Sequence, residues 1–208
     1  MVKKEGRSSY RGRAEEGIRT RARMIEAALR TLIEEGYAGT SARVIAARGS
    51  FNPALIFYHY GTVDDLLLAA LDKSSAERLE RYRSVMSGTA APDELVRRAF
   101  DLFREDVEGG HVTAVTELIG ASLSRPQLRA ELVARMHPWL EFTRQALERL
   151  LADSSLAIPP IPSVEPAAFA IASGYLGLNM LSRLMPDLSQ TERLFELLEQ
   201  LSRIAPAG

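Results

Sequence analysis

Three histidines, His59, His111 and His137, supply all the imidazoles of this 208-residue chain, and there is no cysteine. Without thiols, zinc-finger and thiol chemistry are excluded, and three scattered imidazoles make a poor metal cage. Glu117 with His111 and His137 could in principle form an acid/base set, but single His and Glu residues on helices are ordinarily surface groups or satisfied core groups. The chain carries no G-x-S-x-G elbow, no phosphate-cradling Walker loop, no H-E-x-x-H pair and no Rossmann glycine pattern. Neither an enzyme nor a bound metal or cofactor is expected.

The remaining chemistry is electrostatic and apolar. The net charge of −1 hides a division: residues 1–60 hold 11 Lys/Arg against 6 Asp/Glu, and residues 61–208 hold 15 against 21. Lys3, Lys4, Arg7, Arg11, Arg13, Arg19, Arg21 and Arg23 oppose only Glu5, Glu15 and Glu16. A basic flexible arm over 1–19 is suited to phosphate contact, although the same composition describes a solvated tail.

The elements that follow determine what such an arm would serve. Ile25, Ala28, Leu29, Leu32 and Ile33 fall on one helical stripe that Gly36 stops. Thr40 and Ser41 offer an N-cap for a short helix ending near Arg48, with Val44 and Ile45 inward, and Gly49 breaks it. Asn52 caps the next segment and Pro53 suits a first helical position, so the uncharged run ALIFYHY at 54–60 is predicted to be a helix and not a strand. Two short helices joined by a Gly-containing turn, after a longer packing helix, make a helix-turn-helix. Its second helix would rest on its own domain through Phe51, Ile56 and Tyr60. The opposite side would meet a DNA major groove, with Pro53, Ala54 and Leu55 against thymine methyls and Asn52, Tyr58 and His59 as polar groups. The free N–H groups at Thr40 and Ser41 can hold a phosphate, with Thr62 beside Tyr58 and His59 at the groove edge. Thr62 also caps a further helix whose first turn contains Asp64 and Asp65.

Residues 20–71 resemble the N-terminal DNA-binding domain of the tetracycline-repressor (TetR) family of transcriptional regulators. The resemblance rests on the first-helix stripe, Gly36-Tyr37, Thr40-Ser41, Ile45-Ala46, and Phe57-Tyr58-His59-Tyr60 before Leu66-Leu67. It implies that Arg43 reaches a guanine edge. Three positions depart from the usual pattern. Gly49-Ser50 replaces Ala-Gly at the turn, Phe57 replaces a tyrosine of the recognition helix, and Val63 replaces a lysine that opens the fourth helix.

Beyond Thr62 the apolar spacing predicts helices over 63–87, 92–108, 111–122, 125–152, 164–185 and 189–204, separated by Gly88, Pro92, Gly109-Gly110, Pro126 and the loop SSLAIPPIPS. Leu194, Leu197, Leu198, Leu201 and Ile204 line one face of the last helix. Ala168, Ala172, Gly174 and Gly177 keep the preceding one open to close approach. The resemblance implies that these two helices pair with their copies in a homodimer, whereas the spacing alone is equally met by packing within one chain. Phe103, His111, Met136, Trp139, Phe142, Tyr175 and Asn179, with Phe100, Phe169, Met180 and Arg144 nearby, supply the aromatic, thioether and polar groups of an effector pocket or of a packed core.

Composition agrees with an ordinary globular protein: 46% of residues are hydrophobic and 25% charged. Apolar runs such as LLLAAL fall far short of the ~20 residues that span a bilayer, and the N-terminus lacks the apolar core of a secretory signal. A cytoplasmic location without membrane association is expected. The expected architecture is all-α, with the arm over 1–19, a DNA-binding domain over 20–61, and an effector-binding and dimerisation domain over 62–208. The functional expectation is a repressor that leaves double-stranded operator DNA when a small, mostly apolar effector binds. A ligand-independent helical DNA-binding or architectural protein is the alternative.

Overall fold

The computed structural model describes residues 5–88, 91–152, 163–185, 187 and 189–204. Helices account for almost all of them, and none of the described residues lies in a strand, in agreement with the all-α expectation. The chain divides into two compact units, Met1–Lys73 and Ser74–Gly208.

In the first unit, α1 spans Glu5–Gly39, α2 Ala42–Gly49 and α3 Ala54–Tyr60, and α4 runs Val63–Val85 from this unit into the next. Residues 5–19 therefore belong to a helix where an arm was expected. No proline interrupts them, and Arg, Glu and Ala are good helix formers. Residues 1–4, with Lys3 and Lys4, lie outside the described residues. Gly36 leaves the helical conformation at φ 68°, the stop that its position predicts. The core contains Met24, Ala28, Leu32, Ile45, Ile56, Leu66, Leu67, Ala70 and Leu71. The sequence expectation placed the boundary at Gly61-Thr62. The turn there ends a helix but not a core, because the apolar first half of α4 groups with the N-terminal unit.

The α2–α3 turn is set by sterics. Ser50 takes the left-handed conformation, φ 53° and ψ 52°, and the Phe51 N–H then closes onto the Ala46 carbonyl at 3.0 Å. This is the Schellman arrangement, in which glycine is the usual occupant of the left-handed position. Glycine instead stands one place earlier. A Cβ on Gly49 would lie 2.3 Å from the Phe51 ring and 3.0 Å from the Ala27 methyl. The phenylalanine inside the turn thus requires the missing side chain at position 49.

The second unit contains the remainder of α4, then α5 (Pro92–Gly109), α6 (His111–Ser122), α7 (Pro126–Ala152), α8 (Glu165–Leu184) and α9 (Ser189–Ile204). These bounds fall within two residues of those read from the spacing. Residues 89–90 and 153–162, the latter covering most of the expected SSLAIPPIPS loop, lie outside the described residues. α5 packs on α9, α7 packs on α8, and α6 packs against both α7 and α8. Leu102, Phe103, Ala114, Val115, Leu118, Leu128, Leu132 and Ala168 form the core.

Among the described residues no single helix is long and apolar enough to cross a membrane. α3 and α4 together reach the length, but they bend by 67° at their junction, and Leu66, Leu67, Ala70 and Leu71 of α4 are buried.

Candidate DNA-reading surface and a buried polar cluster

The surface formed by α2 and α3 is sorted by helical spacing. Ile45, Ala46 and Ile56 face inward and are buried, whereas Pro53, Ala54, Phe57 and Tyr58 lie outward. Tyr58 is 81% exposed and Phe57 53%, unusual values for large rings on a short helix. Leu55 and His59 are half-buried at the edges, and the His59 ring sits edge-on to Tyr58 at 4.9 Å. Tyr60 turns inward, and burial raises its phenol above the usual range.

Several expected DNA contacts also hold the domain together. Asn52 Oδ1 accepts the Ala54 N–H at 2.9 Å and so caps α3. The Thr40 hydroxyl donates to the Gly36 carbonyl at 2.7 Å. The Thr62 hydroxyl donates to Asp65 Oδ2 at 2.6 Å and accepts the Asp65 N–H at 3.0 Å, capping α4. Ser41 Oγ accepts the Val44 N–H at 3.4 Å at the start of α2. Arg48 is paired with Glu34 and Glu35 of α1, at 2.5 and 3.3 Å. Arg43, by contrast, is exposed and has no ion-pair partner among the described residues.

In the second unit the structure brings together Phe103, His111, Trp139, Phe142 and Tyr175, all expected there, around a residue the sequence reading did not single out. Tyr82 lies edge-on to Trp139 at 5.4 Å, to Phe142 at 5.9 Å and to Tyr175 at 6.5 Å. Phe103 meets Tyr175 at 5.9 Å, and His111 meets Trp139 at 6.0 Å. The polar centre is Asp106, which is only 2% exposed. It forms an ion pair with Arg78, and the Tyr82 and Tyr175 hydroxyls both donate to its Oδ2. Gly109 makes room for the guanidinium, since a Cβ there would stand 2.2 Å from Arg78 Nη2. Burial pushes Tyr82 up to about 12, and burial with the adjacent Tyr82 raises Tyr175 further, so both phenols keep their protons. His111 Nδ1 lies 2.8 Å from Ser74 Oγ, and burial reinforced by the charge of Arg78 lowers the imidazole to about 3. Asn179 Nδ2 donates to the Tyr175 carbonyl at 3.1 Å.

Arg78 and Asp106 escaped the sequence reading because charged residues on helices are usually solvated, and Tyr82 because a single tyrosine on a helix carries no mark of its partner. A signal was available: Asp106 follows Ala99, Leu102 and Phe103 on one apolar stripe, where a carboxylate requires a partner.

Other expected members lie elsewhere. Phe169 and Met180 are 64% and 52% exposed. Arg144 is held on the surface of α7 by Glu141 at 2.6 Å and by Glu148. Met136 is half-buried on α7. The space beside Asp106, Thr113, Asn179 and Met180 measures about 10 Å³, room for one water and no more. The side chains themselves fill the cluster. A cleft of about 220 Å³ lies apart from it, between α5 and α9. Among the described residues no three His, Asp or Glu side chains converge as a metal set.

A short helix pair presented by a longer helix, ahead of a separate helical unit, defines a helix-turn-helix protein. Residues 24–70 match the model of the family described as bacterial regulatory proteins, tetR family. A transcriptional repressor of Mycobacterium tuberculosis is 34% identical over 115 residues, 55% of each chain. The regulator UidR of Escherichia coli is 24% identical over 128 residues, 62% of this chain and 64% of its own. Among solved structures, a TetR-family member from Streptomyces coelicolor has a TM-score of 0.62 at 26% identity, over 88% of this chain and 97% of its own. FadR, a fatty acid degradation regulator from Bacillus halodurans, has a TM-score of 0.71 at 17% identity, over 88% and 94%. The chain spans about half the length of the first curated relatives it matches, 55% of the Mycobacterium repressor.

Proposed function

We propose that this protein is a transcriptional regulator that binds operator DNA as a homodimer and is released by a small, mostly apolar effector. One observation carries the DNA-binding part: α3 buries Ile56 and exposes Pro53, Ala54, Phe57 and Tyr58 on the face that a recognition helix turns to the groove. The curated relatives named above are themselves transcriptional regulators. Arg43 supplies a guanine contact, the start of α2 at Thr40 and Ser41 a phosphate site, and the basic N-terminal residues general affinity.

Homodimer formation is supported by exposed apolar side chains on the last two helices. Ile171, Leu181 and Leu184 on α8 and Leu197, Leu198 and Leu201 on α9 are all solvent-exposed in the single chain, apolar side chains that a second copy could cover. Two copies also double the number of bases read, which a single short helix leaves too few.

Effector control is supported by the Asp106 cluster, which joins α4, α5 and α8 around Trp139. Since the cluster is filled, a ligand enters only by parting these helices, and that movement is what would separate two states of different DNA affinity. The test is selection of duplexes from a random pool by the full chain, followed by footprinting. Retention of a two-fold symmetric site supports the reading, and recovery of no preferred sequence overturns it. Quenching of Trp139 by a compound that leaves operator affinity intact would reject effector control while preserving DNA binding, and would favour the ligand-independent alternative.

A further inference from the structure

We propose that the cleft between α5 and α9 binds a small organic ammonium ion bearing an aryl or short apolar group. The cleft is separate from the Asp106 cluster, and this site stands or falls independently of the DNA-binding reading above.

The floor of the cleft is aromatic. Phe100 of α5 and Phe195 of α9 line it with their ring centroids 4.8 Å apart and their planes tilted by 40°, and the fully buried Phe103 backs them at 5.7 Å from Phe195. Its charged groups are the carboxylates of Glu192, Glu196 and Glu199 against the guanidinium of Arg97. Helical spacing places the three carboxylates on the same side of α9 as Phe195. Arg97 is already neutralised: Glu94 on its own helix holds it at 2.6 Å, and Asp93 and Glu199 lie at 3.7 and 3.8 Å. Glu192 and Glu196 are exposed and have no ion-pair partner among the described residues. The cleft therefore sets two uncommitted carboxylates beside two phenyl rings. An ammonium ion is the group that both recognise, the carboxylates through charge and the rings through cation–π attraction. The volume of about 220 Å³ is several times the ~30 Å³ share of a water and below the roughly 300 Å³ at which pockets for drug-sized ligands begin, so the occupant is a small molecule. Leu194, Leu197 and Leu201 lie on the other side of α9, so pairing of two copies through those leucines leaves the cleft open.

Phenethylammonium, 2-phenylethanol and 3-phenylpropionate share a phenyl group on a short chain and differ in charge. Ligand-observed NMR titration of the full chain at low salt should show saturable binding of phenethylammonium, about tenfold tighter than 2-phenylethanol, and no binding of 3-phenylpropionate. Added salt should weaken the ammonium and leave the alcohol unchanged. Combining Glu192→Gln with Glu196→Gln, both at exposed positions, should raise the ammonium Kd about three- to tenfold. Glu131→Gln removes the same kind of charge from α7, outside the cleft, and should leave that Kd unchanged. Failure of phenethylammonium to saturate the protein overturns the proposal, as does equal affinity for the ammonium and the alcohol. A loss for Glu131→Gln as large as that for the paired variant also overturns it, because the attraction would then be general and not built into the cleft.

Discussion

Tyr82 on α4 and Tyr175 on α8 are 93 residues apart in the chain, yet their hydroxyl oxygens lie 2.6 Å apart over Asp106 Oδ2. Three oxygens share two protons there, and the Arg78 guanidinium balances the carboxylate charge. This arrangement is specific to the ionised state of Asp106. Asp106→Ala leaves a guanidinium 21% exposed without its partner and should destabilise the protein by about 3–5 kcal/mol. Tyr175→Phe removes one of the hydrogen bonds and should cost about 1–3 kcal/mol. Urea denaturation of the two variants checks both values, and equal small losses would show that the carboxylate is solvated in solution.

Acid should weaken the second unit through His111. Its imidazole is held at about 3, against 6.5 for the free side chain. Below pH 6.5 the unfolded chain takes up a proton that the folded chain refuses. The stability linked to this residue is therefore complete above pH 6.5 and falls as pH drops toward 3, by about 1.4 kcal/mol per pH unit. Melting temperatures between pH 7.5 and 5 should decline more steeply for the wild type than for His111→Gln. Parallel curves would count against the buried neutral imidazole.

The turn between α2 and α3 offers two opposite outcomes at adjacent residues. Ser50→Gly relieves the left-handed strain and should stabilise the protein by about 1 kcal/mol. Gly49→Ala drives a methyl into the Phe51 ring and should destabilise by about 1–3 kcal/mol. Calorimetry of the two variants separates them by sign.

Arg43→Ala should reduce discrimination at one base position by about 1–3 kcal/mol and leave binding to random DNA nearly unchanged. A binding assay across an operator library reads both quantities. A uniform loss across all sequences would mean that Arg43 contacts phosphate.

Leu201→Glu places a charge on the exposed face of α9, where the leucine is 54% exposed in the single chain. Light scattering should show monomers at micromolar concentration, with operator binding lost and the circular dichroism spectrum retained. A wild type that is already monomeric would refute the paired-helix arrangement.

The helices were legible because their breaks are marked by residues with one physical meaning. Gly36, Gly49, Pro126 and the Gly109-Gly110 pair stop or start helices wherever they stand, and the stripes between them repeat at helical spacing. Which positions of α3 face outward was legible for the same reason, since the outward positions of a two-turn helix follow from those that bury Ile56. Two things were not legible. The extent of the N-terminal unit depends on which core Leu66 and Leu71 join, and an uninterrupted helix carries no mark of that boundary. The partners of Asp106 come from α4 and α8, at distances in sequence that local spacing does not encode. The same long-range closure decides that the aromatic set fills its own centre, where composition is equally consistent with an open pocket.

The passage of α4 from one unit into the other bears on how this protein can be taken apart. A chimera joined at Gly61, where the turn invites the cut, would leave Leu66, Leu67, Ala70 and Leu71 with the wrong half. Each buried leucine contributes about 1.5–3 kcal/mol, so the excised N-terminal piece would lose an amount comparable to the whole stability of a small domain. The graft point that respects the cores lies at Lys73-Ser74, in mid-helix. A transplanted N-terminal unit must therefore carry the first half of α4 with it, and the donor and recipient must agree in helical phase across that joint.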